Sequence, residues 1–178
     1  MAKRTSGKPG SSKKAVTRAK FSDESLREHL LYLLRGGGAH IGFDEAFKDW
    51  PARLTSAKVA SFPHTAWMLL EHMRLAQRDI LEFSRNAKYA SKAWPEDYWP
   101  QNEAPPDANA WSRSVQAFRK DLTAMQDLVS SPKTDLYAHI PWGDGQTILR
   151  EALLVADHNA YHLGQLVDVL RLLGSWQG

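Results

Sequence analysis

Four long segments of the chain carry apolar residues at every third or fourth position, which is the repeat of an α-helix with one buried face. No run of alternating β-branched residues competes with this pattern. We therefore predict an all-α protein in which four long helices pack as a four-helix bundle. The predicted helices cover residues 23–35, 63–85, 110–129 and 147–173, with a shorter helix at 44–50.

Capping residues indicate where the predicted helices begin and end. Ser22 is suited to cap the first helix, and the three glycines at 36–38 should end it. Pro63 is placed in the first turn of the second helix, where proline is tolerated. Thr147 is a suitable cap for the fourth long helix, which Gly174 should end.

A long connection separates the second and third long helices. Residues 86–109 contain four prolines and aromatic residues that include Trp94, Tyr98 and Trp99. Loops of this length are uncommon in compact domains unless they have a function. We expect this loop to pack over one end of the bundle, and the order of the helices need not be a simple up-and-down series.

Positive charge is concentrated at the start of the chain. Residues 1–20 hold seven Lys or Arg and no acidic residue, whereas the rest of the chain is mildly acidic. This start is rich in Gly, Ser and Pro and has little to bury, so residues 1–21 are predicted to be a disordered basic leader before one domain at 22–178. Such a leader could contact nucleic acid weakly, although a solvated tail without a partner is the simpler interpretation.

The sequence has no cysteine and no long apolar run, which excludes thiol-based sites and argues against a membrane segment. Without Cys, disulfides, thiolate metal sites and a cysteine nucleophile are excluded, and the composition fits a reducing cytoplasm. A membrane span needs about 18 uncharged apolar residues, and the most apolar stretch is interrupted by Asp157, Asp168 and Arg171. We expect a cytoplasmic protein without a membrane segment, whose metal ligands, if any, are His, Asp or Glu.

Two histidines lie four residues apart in the middle of the last helix. His158 and His162 are therefore on one face, with Cβ atoms about 5–6 Å apart, and can bind one metal ion together. Burying imidazoles without partners would cost about 1–3 kcal/mol each. A metal ion bound to one nitrogen of each ring avoids this cost if Gln165 or Asp157 accepts a hydrogen bond from the other nitrogen. Asn159 occupies the position where zinc proteases carry their general-base glutamate, so that class is excluded.

A third ligand must come from a neighbouring helix. His72 is at the centre of the second long helix, among the apolar positions of its predicted buried face. His64 lies two turns earlier and is the competing candidate, whereas His40 follows the glycines and could reach the mouth of the site. No residue is singled out as a general acid or base. The candidates for pocket and proton-transfer roles are His64, Glu71, Glu151 and Asp157.

Two motifs resemble the DinB-like (damage-inducible, DinB/YfiT-like) superfamily of metal-dependent enzymes. They are "HTAWMLLEHMRLAQRDILEF" at 64–83 and "ADHNAYHLGQLVDVLRLLG" at 156–174; "LLRGGGAH" at 33–40 and "WPEDYWP" at 94–100 are similar to one branch. The resemblance extends over residues 22–176. It implies a four-helix bundle with one divalent transition metal, Zn, Ni or Fe, bound by His72, His158 and His162.

The resemblance also implies a function and partners. It implies a homodimer, and some relatives are transferases or isomerases that use a low-molecular-weight thiol. From the three histidines we expect a metal-dependent hydrolase or thiol transferase that acts on a small-molecule substrate. Because the chain has no Cys, a nucleophilic sulfur would arrive with the substrate. The alternative is a non-catalytic, stress-related metal-binding or interaction bundle.

Overall fold

The computed structural model of the protein describes residues 11–60 and 62–176, with side chains from Asp23 onward. This part of the chain is all-α, as predicted: it has five α-helices, two 3-10 helices and no strand. The α-helices are α1 (Ser11–Leu34), α2 (Phe43–Ala46), α3 (Ala66–Arg85), α4 (Ala110–Ser130) and α5 (Ile148–Leu172), and the 3-10 helices are Ala52–Leu54 and Glu96–Tyr98.

Helix α1 begins twelve residues before the predicted start. It covers residues 11–22, so the cap predicted at Ser22 is wrong, because that residue is inside the helix. The predicted disordered leader therefore overlaps a helix over residues 11–21, and its first ten residues lie outside the described part of the chain. Lys, Arg and Ala are favourable in helices, which allows a helix to continue here without the apolar repeat on which the prediction depended.

Glycine ends α1 as the sequence indicates. Gly36 has a φ of 77°, in the left-handed region that favours glycine. Its backbone N–H donates to Leu33, and the N–H of Gly37 donates to the carbonyl of Tyr32. These are the two hydrogen bonds of a Schellman motif, and they satisfy carbonyls that the helix leaves unpaired.

Threonine side chains begin α3 and α5. The hydroxyl of Thr147 accepts from the backbone N–H of Arg150 at 3.2 Å, so the cap predicted for α5 is confirmed. At α3 the cap is Thr65, whose hydroxyl accepts from Met68 at 3.3 Å. The helix therefore begins after Thr65 rather than at Pro63, because the hydroxyl satisfies an N–H of the first turn.

Helix α3 packs against both α4 and α5, and α1 contacts the same two helices. At the end of α4, the Arg27 guanidinium donates to the carbonyls of Val129, Ser131 and Thr134 at 2.6, 3.0 and 2.7 Å. A cation is favoured at this helix end because the last carbonyls carry partial negative charge. Arg27 therefore attaches α1 to the C-terminal end of α4.

Stacked aromatic rings join α4 to α2, and the side-chain amide of Gln77 joins α3 to both α4 and α5. Phe118 is fully buried and stacks on Phe43, with ring centroids 4.0 Å apart. The side chain of Gln77 donates to the Phe118 carbonyl at 2.8 Å and accepts from Asn159 at 2.8 Å. Because Gln77 touches α4 with one end of its amide and α5 with the other, it fixes the position of α5 beside His158.

Among the described residues, none of the helices is long and apolar enough to span a lipid bilayer.

Candidate metal centre

The structure brings together the three histidines that the sequence singled out. His72 comes from α3, and His158 and His162 come from α5. One ring nitrogen from each residue lies within 4.8 Å of the other two. The residues His72 and His162 are 2 % and 8 % exposed, and His158 is partly buried. A compact group of three imidazoles therefore lies between two packed helices.

Helical spacing explains this convergence. His158 and His162 are one turn apart on α5, and their ring centroids are separated by 4.5 Å. His72 faces them from the middle of α3, with centroids 4.9 Å from His158 and 4.6 Å from His162. The three rings are steeply inclined to one another, by 58° to 82°, so none of them stacks face to face on another.

Hydrogen bonds fix the protons on two of the rings. Nδ1 of His72 is 2.8 Å from the backbone carbonyl of Tyr98, and Nδ1 of His162 is 2.7 Å from Oε1 of Gln165. Both oxygens accept, so each Nδ1 must carry the proton. In the neutral ring the opposite nitrogen, Nε2, then has a free lone pair. Metal-binding histidines commonly have this arrangement, in which one ring nitrogen binds the metal and the other donates its N–H to a nearby acceptor.

The spacing of the ring nitrogens fits a metal ion. Nε2 of His158 lies 3.1 Å from Nε2 of His72, and two nitrogens bound to one tetrahedral zinc at about 2.0–2.1 Å lie roughly 3.3 Å apart. Nδ1 of His158 is buried and has no hydrogen-bond partner among the described residues, and a metal bound at Nε2 would not supply one. The case for a metal therefore rests on the spacing of the nitrogens and on the donor set, which suits a divalent transition metal.

The environment keeps the three imidazoles neutral. Burial lowers the pKa of His72 to about 4 and that of His158 to about 3, and repulsion from the neighbouring imidazoles adds to both shifts. Burial also lowers the pKa of His162. A metal binds neutral imidazole, so at neutral pH no proton has to be removed before binding.

The loop between α3 and α4 covers this cluster. Trp99 lies flat on His72, with centroids 3.9 Å apart and planes inclined by 4°. The other face of Trp99 stacks on His64 at 4.2 Å. His64, the competing ligand, is thus separated from His72 by an indole ring, and its buried Nδ1 has no hydrogen-bond partner in the described part of the chain. Burial lowers the pKa of His64.

The other predicted pocket residues are not in the cluster. His40 and Asp157 line a cavity of about 950 Å³ beside the end of α1, and none of the three clustered histidines lines it. The carboxylate of Glu151 is buried and pairs with Arg150 at 2.7 Å. Only Gln165 among the predicted neighbours hydrogen-bonds a histidine of the cluster directly.

Glu71, the remaining acid–base candidate, is held in a structural contact. Its carboxylate accepts from Arg74 at 2.8 Å through both oxygens and also accepts from the Ser114 hydroxyl. Burial would raise the pKa of Glu71, but these hydrogen bonds outweigh it and the pKa is lowered. The carboxylate therefore remains ionised and paired between α3 and α4.

Sequence reasoning missed the contribution of the loop to the cluster. Tyr98 takes part through its backbone carbonyl, and a main-chain group leaves no residue-specific signal in a sequence. The adjacent aromatic residues Tyr98 and Trp99, inside an unusually long loop, are the one sequence feature that indicates a contact between this loop and the helices.

Comparisons of the chain with protein-family models, with curated proteins and with solved structures return no match. The resemblance to the DinB-like superfamily therefore stays a prediction.

Proposed function

We propose that the protein is a metal-dependent enzyme whose divalent transition metal, Zn, Ni or Fe, is bound by His72, His158 and His162. The observation that carries this proposal is the convergence of three neutral imidazoles, two buried and one partly buried, with one nitrogen of each ring within 4.8 Å of the other two. The free Nε2 lone pairs of His72 and His162 follow from the acceptors at Tyr98 and Gln165.

The bound ion would supply Lewis-acid chemistry, because three neutral ligands leave its charge uncompensated. Within the chain, Gln165 and the Tyr98 carbonyl orient two of the ligands, and Trp99 excludes water from the face of His72. We favour a hydrolase, or a transferase that joins a small molecule to a low-molecular-weight thiol. Because the chain has no Cys, the thiol in such a transfer would be a separate molecule.

We further propose a DinB-like four-helix bundle that works as a homodimer in the cytoplasm. Helices α1, α3, α4 and α5 supply four long members in contact with one another. On the outer side of α5, Leu153, Tyr161 and Leu172 are exposed, at 45 %, 64 % and 58 %. A second copy would cover these apolar side chains. Sedimentation at micromolar concentration tests the dimer, and a purely monomeric species would contradict it.

One observation favours a non-catalytic metal site as the second candidate. The indole of Trp99 covers His72, and the cavity lined by His40 and Asp157 is on another face of α5. A closed site is typical of structural metals, whereas a catalytic site keeps a position for substrate. In the cobalt-loaded protein, a visible spectrum that changes on adding a small thiol indicates an accessible metal. A spectrum that does not change favours the structural site.

Metal content tests the main proposal. Untagged protein should contain about one equivalent of a transition metal by mass spectrometry, and His72→Ala and His158→Ala should each lose most of it. His139→Ala is the matched control, because His139 is exposed and outside the cluster. Undiminished metal in both cluster variants would exclude these ligands.

A further inference from the structure

Two consecutive residues of the loop after α3 hold His72, one at the edge of its ring and one on its face. The Tyr98 carbonyl lies 2.8 Å from Nδ1 of His72. The indole of Trp99 lies against the imidazole, with centroids 3.9 Å apart and planes inclined by 4°. Aromatic pairs can meet edge-to-face or stacked, and this pair is stacked with its rings nearly parallel. The orientation of His72 is therefore set from two sides.

The opposite face of Trp99 is covered by a second imidazole. His64 stacks on it, with centroids 4.2 Å apart and planes inclined by 21°. Trp99 also approaches a second candidate ligand, because its ring centroid is 6.3 Å from that of His162 and the planes are inclined by 85°. Since imidazoles occupy both of its faces, the indole is not placed to stack on a substrate. Its neighbours instead indicate a role in holding the metal ligands.

The face of an indole distinguishes a neutral ring from a positively charged one. The π electrons give this face a partial negative charge, and tryptophan attracts cations more strongly than the other aromatic residues. A metal ion at Nε2 would draw electron density from His72 and give its ring a partial positive charge. In the metal-free protein at neutral pH the ring carries no charge. Trp99 should therefore interact more strongly with His72 in the metal-bound state.

We propose that Trp99 is a positioning residue for the metal centre, which holds the plane of His72 and stabilises the metal-bound form of that ring through its π face. His64 supports the indole from the other side. The proposal rests on the proposed function, because His72 is one ligand of that site. Trp99 is partly buried, and an aromatic face that is shielded from water should change metal affinity by about 5–30-fold.

Trp99→Leu removes the indole face and keeps an apolar side chain. We expect zinc affinity, measured by competition with a chelator, to fall by about 5–30-fold. Trp99→Phe keeps a weaker π face and should give an affinity between those of Trp99→Leu and the native protein. Trp142→Leu is the matched control, because the Trp142 indole donates to the Phe83 carbonyl and lies outside the cluster. Its affinity should stay within about twofold of the native value.

Fluorinated tryptophan separates the charge of the indole face from its packing. Fluorine withdraws electron density from the π system and changes the shape of the ring little. All seven tryptophans are replaced when the protein is made with this amino acid, so Trp99→Phe made in the same way is the reference. We expect fluorination to lower the zinc affinity of the native sequence by about twofold or more and to leave that of Trp99→Phe unchanged. An equal effect in both proteins, or none in either, would overturn the proposal.

Proton NMR of the metal-free protein gives a readout that does not need metal. The carbon-bound ring protons of His72 lie over the indole face, so their signals should be shifted upfield in the native protein and not in Trp99→Leu. His64→Phe keeps a ring against Trp99 and should retain both this shift and the zinc affinity. An unshifted native signal, or unchanged zinc affinity in Trp99→Leu, would overturn the proposal. A native protein that shows the shift but binds no zinc would instead contradict the proposed function.

Discussion

Acidification should destabilise the metal-free protein through its buried histidines. The pKa of His72 is about 4 and that of His158 about 3 in the folded chain, against 6.5 for an exposed imidazole. As the pH falls below about 6.5, the unfolded chain binds protons that the folded chain does not. Stability is therefore fully present above about pH 6.5 and is lost progressively below it, until the folded rings protonate near pH 3–4.

The size of the loss follows from the same pKa values. Between about pH 7.5 and pH 5, each imidazole with an unfolded pKa of 6.5 contributes about 2 kcal/mol in favour of unfolding. His72 and His158 together give about 4 kcal/mol, and the lowered pKa of His162 adds to this in the same direction. Unfolded carboxylates titrate near pH 4, below this window, so they contribute little.

Urea unfolding in the presence of a chelator, at about pH 7.5 and pH 5, measures this loss. His158→Gln should reduce it by about 2 kcal/mol, since one of the two strongly shifted groups is removed. His139→Gln, on an exposed ring outside the cluster, is the control and should behave as the native protein. A native loss below about 1 kcal/mol would show that the three rings are not buried together as neutral imidazoles.

Three other substitutions test separate contacts. Gln165→Leu removes the acceptor of the His162 Nδ1 proton and should weaken zinc binding by about 10–100-fold, with Gln165→Glu restoring it in a chelator competition. Phe118→Ala empties the centre of the aromatic core and should cost about 3–5 kcal/mol in urea unfolding. Arg27→Met removes three hydrogen bonds to the end of α4 and should cost about 2 kcal/mol; a loss below about 0.5 kcal/mol would mean that water replaces them.

The members of the histidine cluster could be predicted because helical spacing determines which residues share a face. His158 and His162, one turn apart, had to lie together, and His72 was the histidine within the apolar face of α3. Asp157 is adjacent to His158 in sequence but about 100° away around α5. The structure accordingly places Asp157 in the lining of the cavity that His40 also lines rather than in the cluster.

The surroundings of the cluster could not be predicted in this way. The carbonyl of Tyr98 and the stacking of Trp99 depend on the path of a long loop. That path is fixed by contacts distant in sequence, such as those of Asp79, rather than by any local repeat. The early start of α1 was missed for a related reason, since residues 11–22 favour a helix by propensity but lack the apolar stripe.

X-ray absorption at the zinc edge of the untagged, zinc-loaded protein tests the three-histidine site most directly. We expect three imidazole ligands with nitrogen at about 2.0–2.1 Å. The outer-shell scattering of the imidazole rings should decrease by one ring in His72→Ala. A spectrum that shows only oxygen ligands, or one that is identical in the native protein and in His72→Ala, would contradict a metal centre formed by His72, His158 and His162.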